Sequence, residues 1–277
     1  MPSSISYNFF EKHFGEPPAL ALLQQTGLLN APKDNALKIL DHACGMGLIA
    51  SVIHEATDID RRFPPAEIIC GDISSNAIRA TEVRIEQCGW KGVTANVIDA
   101  QDSKFPDNTF THVLCSAGYA LMPRPDVALK DSVRILRLAG SLGFTAWSGV
   151  PGWVEDVNVA LARLGAPMCA KPPVTEGWLD PIFIRSQVEA TPGLDLNTLK
   201  IKPFSVDCRF ACAQEWTDIA VGLLGVITAN WTENQKTEFL AKIMPELRTV
   251  LEGKHGVGKP FGIKLDFIIV TANKKSD

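Results

Sequence analysis

The stretch that most constrains this chain runs from Leu37 to Ser51, LKILDHACGMGLIAS. An apolar run ends in Asp41, a small-residue turn carries Gly45 and Gly47, and an apolar helical start follows. Strand, tight turn and helix in that order make a ligand site. Glycine lets the backbone approach a bound molecule, and a helix N-terminus offers N–H groups with no partner of their own.

The flanking chain says which sheet this unit belongs to. Glu67–Asp72 reads as a second short apolar strand ending in an acid, Ser74–Cys88 has helical spacing, and Val93–Asp99 reads as a third strand ending in an acid. A turn at Pro106-Asp107-Asn108 precedes a nearly unbroken apolar strand at 110–117, of the kind covered on both faces. A helix is expected over 126–138, ending near Gly140, and a fifth strand over 141–147. Strands alternating with helices imply right-handed crossovers and a doubly wound, mostly parallel sheet.

Outside this core the alternation stops. Residues 5–29 look like two short helices, broken by Pro17 and Pro18, and 31–35 is a polar link. A loop is expected at 58–65. A Pro/Gly-rich, Trp-containing region at 148–180 leads to a helix at 181–190 and a strand at 198–207. Residues 214–251 read as mostly helical, with Thr232 as N-cap for 233–243, and a last strand covers 263–272.

With 277 residues and 46% hydrophobic content, the chain can bury one large α/β core with insertions. A net charge of -4 and scattered basic residues give no electrostatic case for nucleic acid or an anionic membrane. A small neutral or weakly charged substrate suits it better. Seven cysteines without paired CxxC spacing suggest neither zinc nor a disulfide framework. The N-terminus lacks a basic region followed by an apolar core, and no apolar run reaches membrane-spanning length. The expectation is a reduced, soluble, cytoplasmic protein with no metal. No dimer signature is visible, so the oligomeric state stays open.

Asp41, Asp72 and Asp99 then close three successive strands, at the sheet edge where ligands of parallel sheets bind. Asp72, about 25 residues beyond the glycine turn, is spaced to accept hydrogen bonds from ribose hydroxyls. Asp99, followed by Ala100 and Gln101, suits an adenine amino group. Each acid also has a plainer role: Asp72 as a helix N-cap, Asp99 as a solvated loop acid. Ser116 at the end of strand four either touches a ligand or packs.

At this point the sequence resembles the class I S-adenosylmethionine-dependent methyltransferases. Asp41-His42-Ala43-Cys44-Gly45-Met46-Gly47 is similar to that family's acid-x-Gly-x-Gly-x-Gly loop around the methionine part of the cofactor. Gly71-Asp72-Ile73-Ser74 matches the ribose-binding segment, and Asp99-Ala100 the acid that caps adenine. Residues 105–113 resemble the approach to strand four, and 134–140 the helix-to-strand-five turn. The resemblance covers 36–147 and implies a Rossmann-like, seven-stranded sheet with an antiparallel last strand. It further implies a lid of N-terminal helices at 1–35, a cofactor-binding core at 36–147, and a remainder at 148–277. That remainder would complete the sheet near 198–207 and 263–272, with helical-cap insertions at 148–180 and 210–260.

Ala43 stands where the family's first glycine is usual; alanine costs little there if φ is negative. Leu138-Ala139 replaces the customary Pro-Gly, which concerns a turn rather than the site. The wider pattern is similar to fungal-type methyltransferases that act on secondary metabolites at O, N or S. The implied cofactor is S-adenosyl-L-methionine, held by Asp41, Ala43, Cys44, Gly45, Gly47, Asp72, Ile73, Asp99, Ala100 and Ser116.

The implied reaction is in-line displacement, for which proximity and orientation do most of the work. A base helps a phenol or alcohol more than a thiol with a pKa near 8.5. His13 and Tyr7 in the N-terminal segment are the candidate bases, with His255 behind them. His42 and His112, in or beside core strands, read as structural. Trp147, Trp153, Trp178, Trp216 and Trp231 suit either a pocket for an aromatic or apolar substrate or the core, with Trp147 closest to the site. Two other readings stay open. Gly45-Met46-Gly47-Leu48-Ile49-Ala50 matches G-x-G-x-x-A, as in NAD(P)-dependent oxidoreductases, although no Tyr-x-x-x-Lys pattern accompanies it. A methyltransferase fold that binds without turnover is the third.

Overall fold

The computed structural model describes residues 10–31, 36–57 and 67–276. Tyr7, most of the link at 31–35 and the loop at 58–65 lie outside the described residues. Contacts divide the chain into two compact units. One comprises Gly15–Ser148, Val174–Phe204 and Phe267–Asp277; the other comprises Met1–Phe14, Gly149–Pro173 and Ser205–Asp266.

The strands are β1 (Lys38–His42), β2 (Glu67–Asp72), β3 (Val93–Val97), β4 (Phe110–Ser116), β5 (Leu136–Trp147), β6 (Leu194–Phe210) and β7 (Phe261–Lys274). They form one seven-stranded sheet in the order β3-β2-β1-β4-β5-β7-β6. The first five pair in parallel, and β7 runs antiparallel to β5. The last strand expected at 263–272 is therefore present, and it neighbours the strand expected at 198–207.

Apolar runs that are buried on both faces explain the first unit. Along β1, Ile39 packs into one cluster and Leu40 into another; in β4, Leu114 joins the first, Val113 and Cys115 the second. In β7 the alternation is Ile269 against Ile268 and Val270. Period-two side chains thus feed two cores, one on each face of the sheet. The helix α1 (Glu16–Thr26) serves the first with Ala19, Leu22 and Leu23, and α2 (Leu48–Thr57) adds Ile49 and Ile53. The helix α3 (Ser75–Cys88) starts at Ser74, whose hydroxyl accepts from the Ala77 N–H at 3.3 Å.

The helix expected at 126–138 is shorter, Pro125–Ile135 (α4), because β5 begins at Leu136. The reason is competition for carbonyls. The N–H groups of Asn108 and Thr109 take the Arg134 and Ile135 carbonyls, while the Lys274 ammonium donates to those of Arg134 and Leu136 at 3.0 and 2.9 Å. Ala139, at φ +58°, sits inside the strand in the left-handed region. The unusual Leu-Ala pair therefore bends β5, where its pairing with β4 shifts register between Phe110 and His112.

The second unit is built around aromatic rings. Trp216 on α7 (Ala213–Ala220) is almost fully buried and meets Phe10, Phe14, Trp153 and Phe210 with ring centroids 5.0–6.2 Å apart. Trp153 belongs to α5 (Gly152–Arg163), a helix inside the region read only as Pro/Gly-rich. The helix α6 (Pro181–Glu189), in the first unit, lies where expected, and α8 (Glu233–His255) opens with a capping box between Thr232 and Gln235. Among the described residues, no helix is long and apolar enough to cross a membrane.

Because Trp216 holds four rings together, Trp216→Ala is expected to cost about 3–5 kcal/mol of unfolding free energy. Urea titration followed by circular dichroism checks it; a loss under about 1 kcal/mol would contradict this role.

Candidate cofactor-binding cleft

Successive strands step outward from β1 to β3, and the chain then returns to β4 on the other side of β1. Ligands of parallel sheets bind beyond the carboxyl ends at such a reversal, because the loops there diverge and leave a crevice. A cleft of about 400 Å³ lies at this place, within the 300–1,000 Å³ range of small-ligand sites.

The turn after β1 shapes its floor. Ala43, Gly45 and Gly47 have φ of +53°, +56° and +80°, so three residues in five are left-handed. The condition under which alanine costs little there, a negative φ, is not met: the conformation of Ala43 is the one glycine favours, at a cost of about 1–2 kcal/mol for an L residue. Space for the Ala43 methyl comes from Gly118, where an added Cβ would stand 2.7 Å from it.

Asp72 ties this turn to the end of β2. One carboxylate oxygen accepts from the Gly45 N–H at 2.9 Å and the other from the Ser74 N–H at 2.8 Å. Ser74, not Asp72, is the N-cap of α3. Asp99, two residues past β3, accepts from the Gln101 N–H at 2.8 Å and from the Gln101 amide at 3.2 Å. Each carboxylate oxygen keeps further acceptor capacity, since an ionised carboxylate offers about four lone-pair sites.

Of the expected cofactor residues, Ala43, Gly45, Asp72, Ile73, Asp99 and Ala100 line the cleft, and so does Ser116, whose hydroxyl is 3.3 Å from that of Thr145. Three others do not line it. Asp41 is buried in β1 between Cys70 and Leu114. Cys44 packs into a core cluster, and Gly47 faces α3, where an added Cβ would come within 3.1 Å of the Thr81 methyl. Sequence reading missed the wall formed by Ala117, Gly118, Leu121, Met122 and Pro123. Its signal was available in Gly118 and Pro123, which break the chain just after an apolar strand. Thr175 pins that wall, donating its N–H to the Ala120 carbonyl and its hydroxyl to that of Met122.

Of the five tryptophans weighed for a pocket, Trp147 lines the cleft, while Trp153, Trp178, Trp216 and Trp231 are buried. The histidines divide similarly. Burial pushes His42 and His112 from the ordinary 6.5 down to about 4. His42 Nδ1 lies 3.3 Å from Ser132 Oγ, itself 2.7 Å from the Tyr119 hydroxyl. His13 lies on a π-turn (Glu11–Gly15), and its carbonyl accepts from the Cys208 thiol. His255 stacks on Phe261 at 4.8 Å. Among the cleft-lining residues, Asp72 and Asp99 are the two with acidic or basic side chains.

A sheet of this strand order, parallel except for β7 and with its cleft beside β1, is the class I methyltransferase fold. Residues 39–140 match the methyltransferase domain family. Methyltransferase tpcH of Aspergillus fumigatus is 26% identical over 246 residues, covering 86% of this chain and 84% of that one. The acetylaranotin bis-thiomethyltransferase of Aspergillus terreus is 26% identical over 267 residues, covering 93% and 89%. Among solved structures, phosphoethanolamine N-methyltransferase 2 of Haemonchus contortus, in complex with S-adenosyl-L-methionine, has a TM-score of 0.56 at 15% identity, covering 98% of this chain and 56% of that one. The chain thus carries a methyltransferase domain at residues 39–140 within the class I fold and is similar along most of its length to fungal methyltransferases.

Two outcomes test these local arguments. Gly47→Ala forces a left-handed alanine against Thr81 and is expected to cost about 1–3 kcal/mol, whereas Ala43→Gly should stay within about 1 kcal/mol of wild type. For His42, a folded pKa below the unfolded one means that the unfolded chain takes up the proton first as pH falls. The stability this neutral ring contributes is complete above pH 6.5 and is lost progressively down to about 4, by up to roughly 3 kcal/mol. Urea midpoints across that window should fall less steeply in His42→Gln.

Proposed function

We propose that the cleft binds S-adenosylmethionine and that the enzyme methylates an apolar or aromatic small molecule in the cytoplasm. The observation that carries this is the Asp72 carboxylate, held by the Gly45 and Ser74 N–H groups at the mouth of a cleft of suitable size. The residues present fit the cofactor. Asp72 would take the ribose hydroxyls and Asp99 the adenine amino group, with Ile73, Ile98 and Ala100 against the flat ring. The backbone of Ala43 and Gly45, with Ser116, would face the methionine part.

When bound, this cofactor supplies a methyl group already activated on a sulfonium. What remains for the chain's own residues is to bind, orient and exclude water. Leu121, Met122 and Trp147 give the cleft apolar surface for that purpose. Both ionisable cleft residues already accept backbone N–H groups and are assigned to the cofactor, so neither is free to act as base. An acceptor that is nucleophilic near neutral pH without help fits best, and a thiol is the first such group. The thiomethyltransferase relative supports the same choice. For an alcohol or phenol acceptor, His13 and Tyr7 are the bases to test.

Calorimetric titration is expected to show tight binding of S-adenosylhomocysteine, no binding of NAD or NADP, and at least a tenfold loss in Asp72→Ala. A nicotinamide cofactor bound instead would overturn the assignment. With a panel of thiols, phenols and amines, turnover should favour thiols and rise with pH up to the acceptor's own pKa. Turnover of phenols alone, abolished in His13→Ala, would reject the thiol assignment.

A further inference from the structure

The glycine turn is held from behind by side chains that do not line the cleft. The Thr81 hydroxyl, fully buried on α3, is 3.0 Å from the Gly45 carbonyl and 3.1 Å from the Ala77 carbonyl of its own helix. One turn further along α3, the Arg84 guanidinium donates to the Met46 carbonyl at 3.2 Å and to the Ser51 hydroxyl at 2.8 Å. It also lies 5.3 Å from the centre of the Trp90 ring, against which the His54 ring stacks at 5.1 Å. Gly47 completes the contact, with the Thr81 methyl and Trp90 close to where its Cβ would be.

We propose that Thr81 and Arg84 are positioning residues for cofactor binding, acting through the peptide planes of the Gly45-Met46-Gly47 turn. A trans peptide directs its C=O and N–H to opposite sides. With the Gly45 carbonyl turned toward α3, the Met46 N–H is turned away from that helix. The glycines make these planes free to rotate, because left-handed glycine has little steric preference. Thr81 and Arg84 remove that freedom, so the turn meets the ligand already set and binding need not supply its ordering. The preceding plane is held separately, with the Gly45 N–H donating to Asp72 and the Cys44 carbonyl accepting from the Gly47 N–H, so the same turn is also joined to the proposed ribose acid.

The inference rests on the proposed S-adenosylmethionine site, and the test separates the two. Thr81→Val keeps the shape and removes the hydroxyl; Thr81→Ser restores it. Arg84→Met keeps an apolar stem over Trp90 and removes the donors of this half-buried side chain. Affinity for S-adenosylhomocysteine is measured by calorimetry, with melting temperature and the KM and kcat for methyl transfer alongside. The expected result is a fivefold or greater loss of affinity, appearing in the KM for S-adenosylmethionine, in Thr81→Val and Arg84→Met. Thr81→Ser should stay within twofold of wild type, and the losses should not scale with melting temperature. Wild-type affinity in both Thr81→Val and Arg84→Met, with wild type itself binding, would overturn the clamp alone. Failure of wild type to bind would instead overturn the cofactor reading, and the clamp's role with it.

Discussion

Everything at the site depends on one carboxylate joining two neighbouring strand ends. Asp72 closes β2, yet one of its oxygens is bonded to the Gly45 N–H beyond β1 and the other to the Ser74 N–H that opens α3. A charge-assisted bond to backbone N–H is about twice as strong as a neutral one, and here it fixes a loop rather than a side chain. The parallel ladder between β1 and β2 sets the two strand ends side by side, with Asp41 opposite Cys70 and His42 opposite Gly71. Sheet register, turn conformation and helix start are thus three consequences of one local arrangement. The apolar residues around it, buried on both faces of the sheet, keep it rigid.

The turn carries strain as well as order. Ala43 and Ala117, both lining the cleft, are left-handed without being glycine. Ala117 is held there by its N–H donating to Thr145, and Ala43 by the room that Gly118 leaves. Strained residues persist where the surrounding structure over-determines them, and they cluster at ligand sites. The same conformation at Ala139, away from the cleft, serves the bend in β5 instead. Left-handed alanine alone therefore does not mark function; its location does.

Much of this was legible in the chain because local and global signals agree over residues 36–147. Apolar runs ending in acids gave β1, β2 and the approach to β3, and the helix start signals at Ser74 and Thr232 correspond to real caps. The end of α4 was not legible, since it is set by groups distant in sequence, the Asn108 and Thr109 N–H groups and the Lys274 ammonium, that claim its last carbonyls. Helix α5 was masked by prolines and glycines on either side, although Trp153, Val157, Ala160 and Leu161 carry helical spacing. In the site, residue type identified the acids, but orientation is a property of the folded turn. Asp41, Cys44 and Gly47 share a motif with Gly45 and still face elsewhere, because Asp41 lies inside the β1 ladder and the left-handed residues of the turn redirect the chain at each step.

The strand order also governs how the chain is made. β6 lies at the edge of the sheet, and among the described residues its one neighbouring strand is β7, which is synthesised later and inserts between β6 and β5. On a ribosome, β5 therefore emerges with one open edge, and β6 follows with nothing to pair with until the long helical stretch between them and β7 has been extruded. Open edges are templates for pairing with other chains. During that interval the nascent protein is exposed to misassembly at β5, and the apolar alternation of β7 that buries both cores is also what ends the exposure.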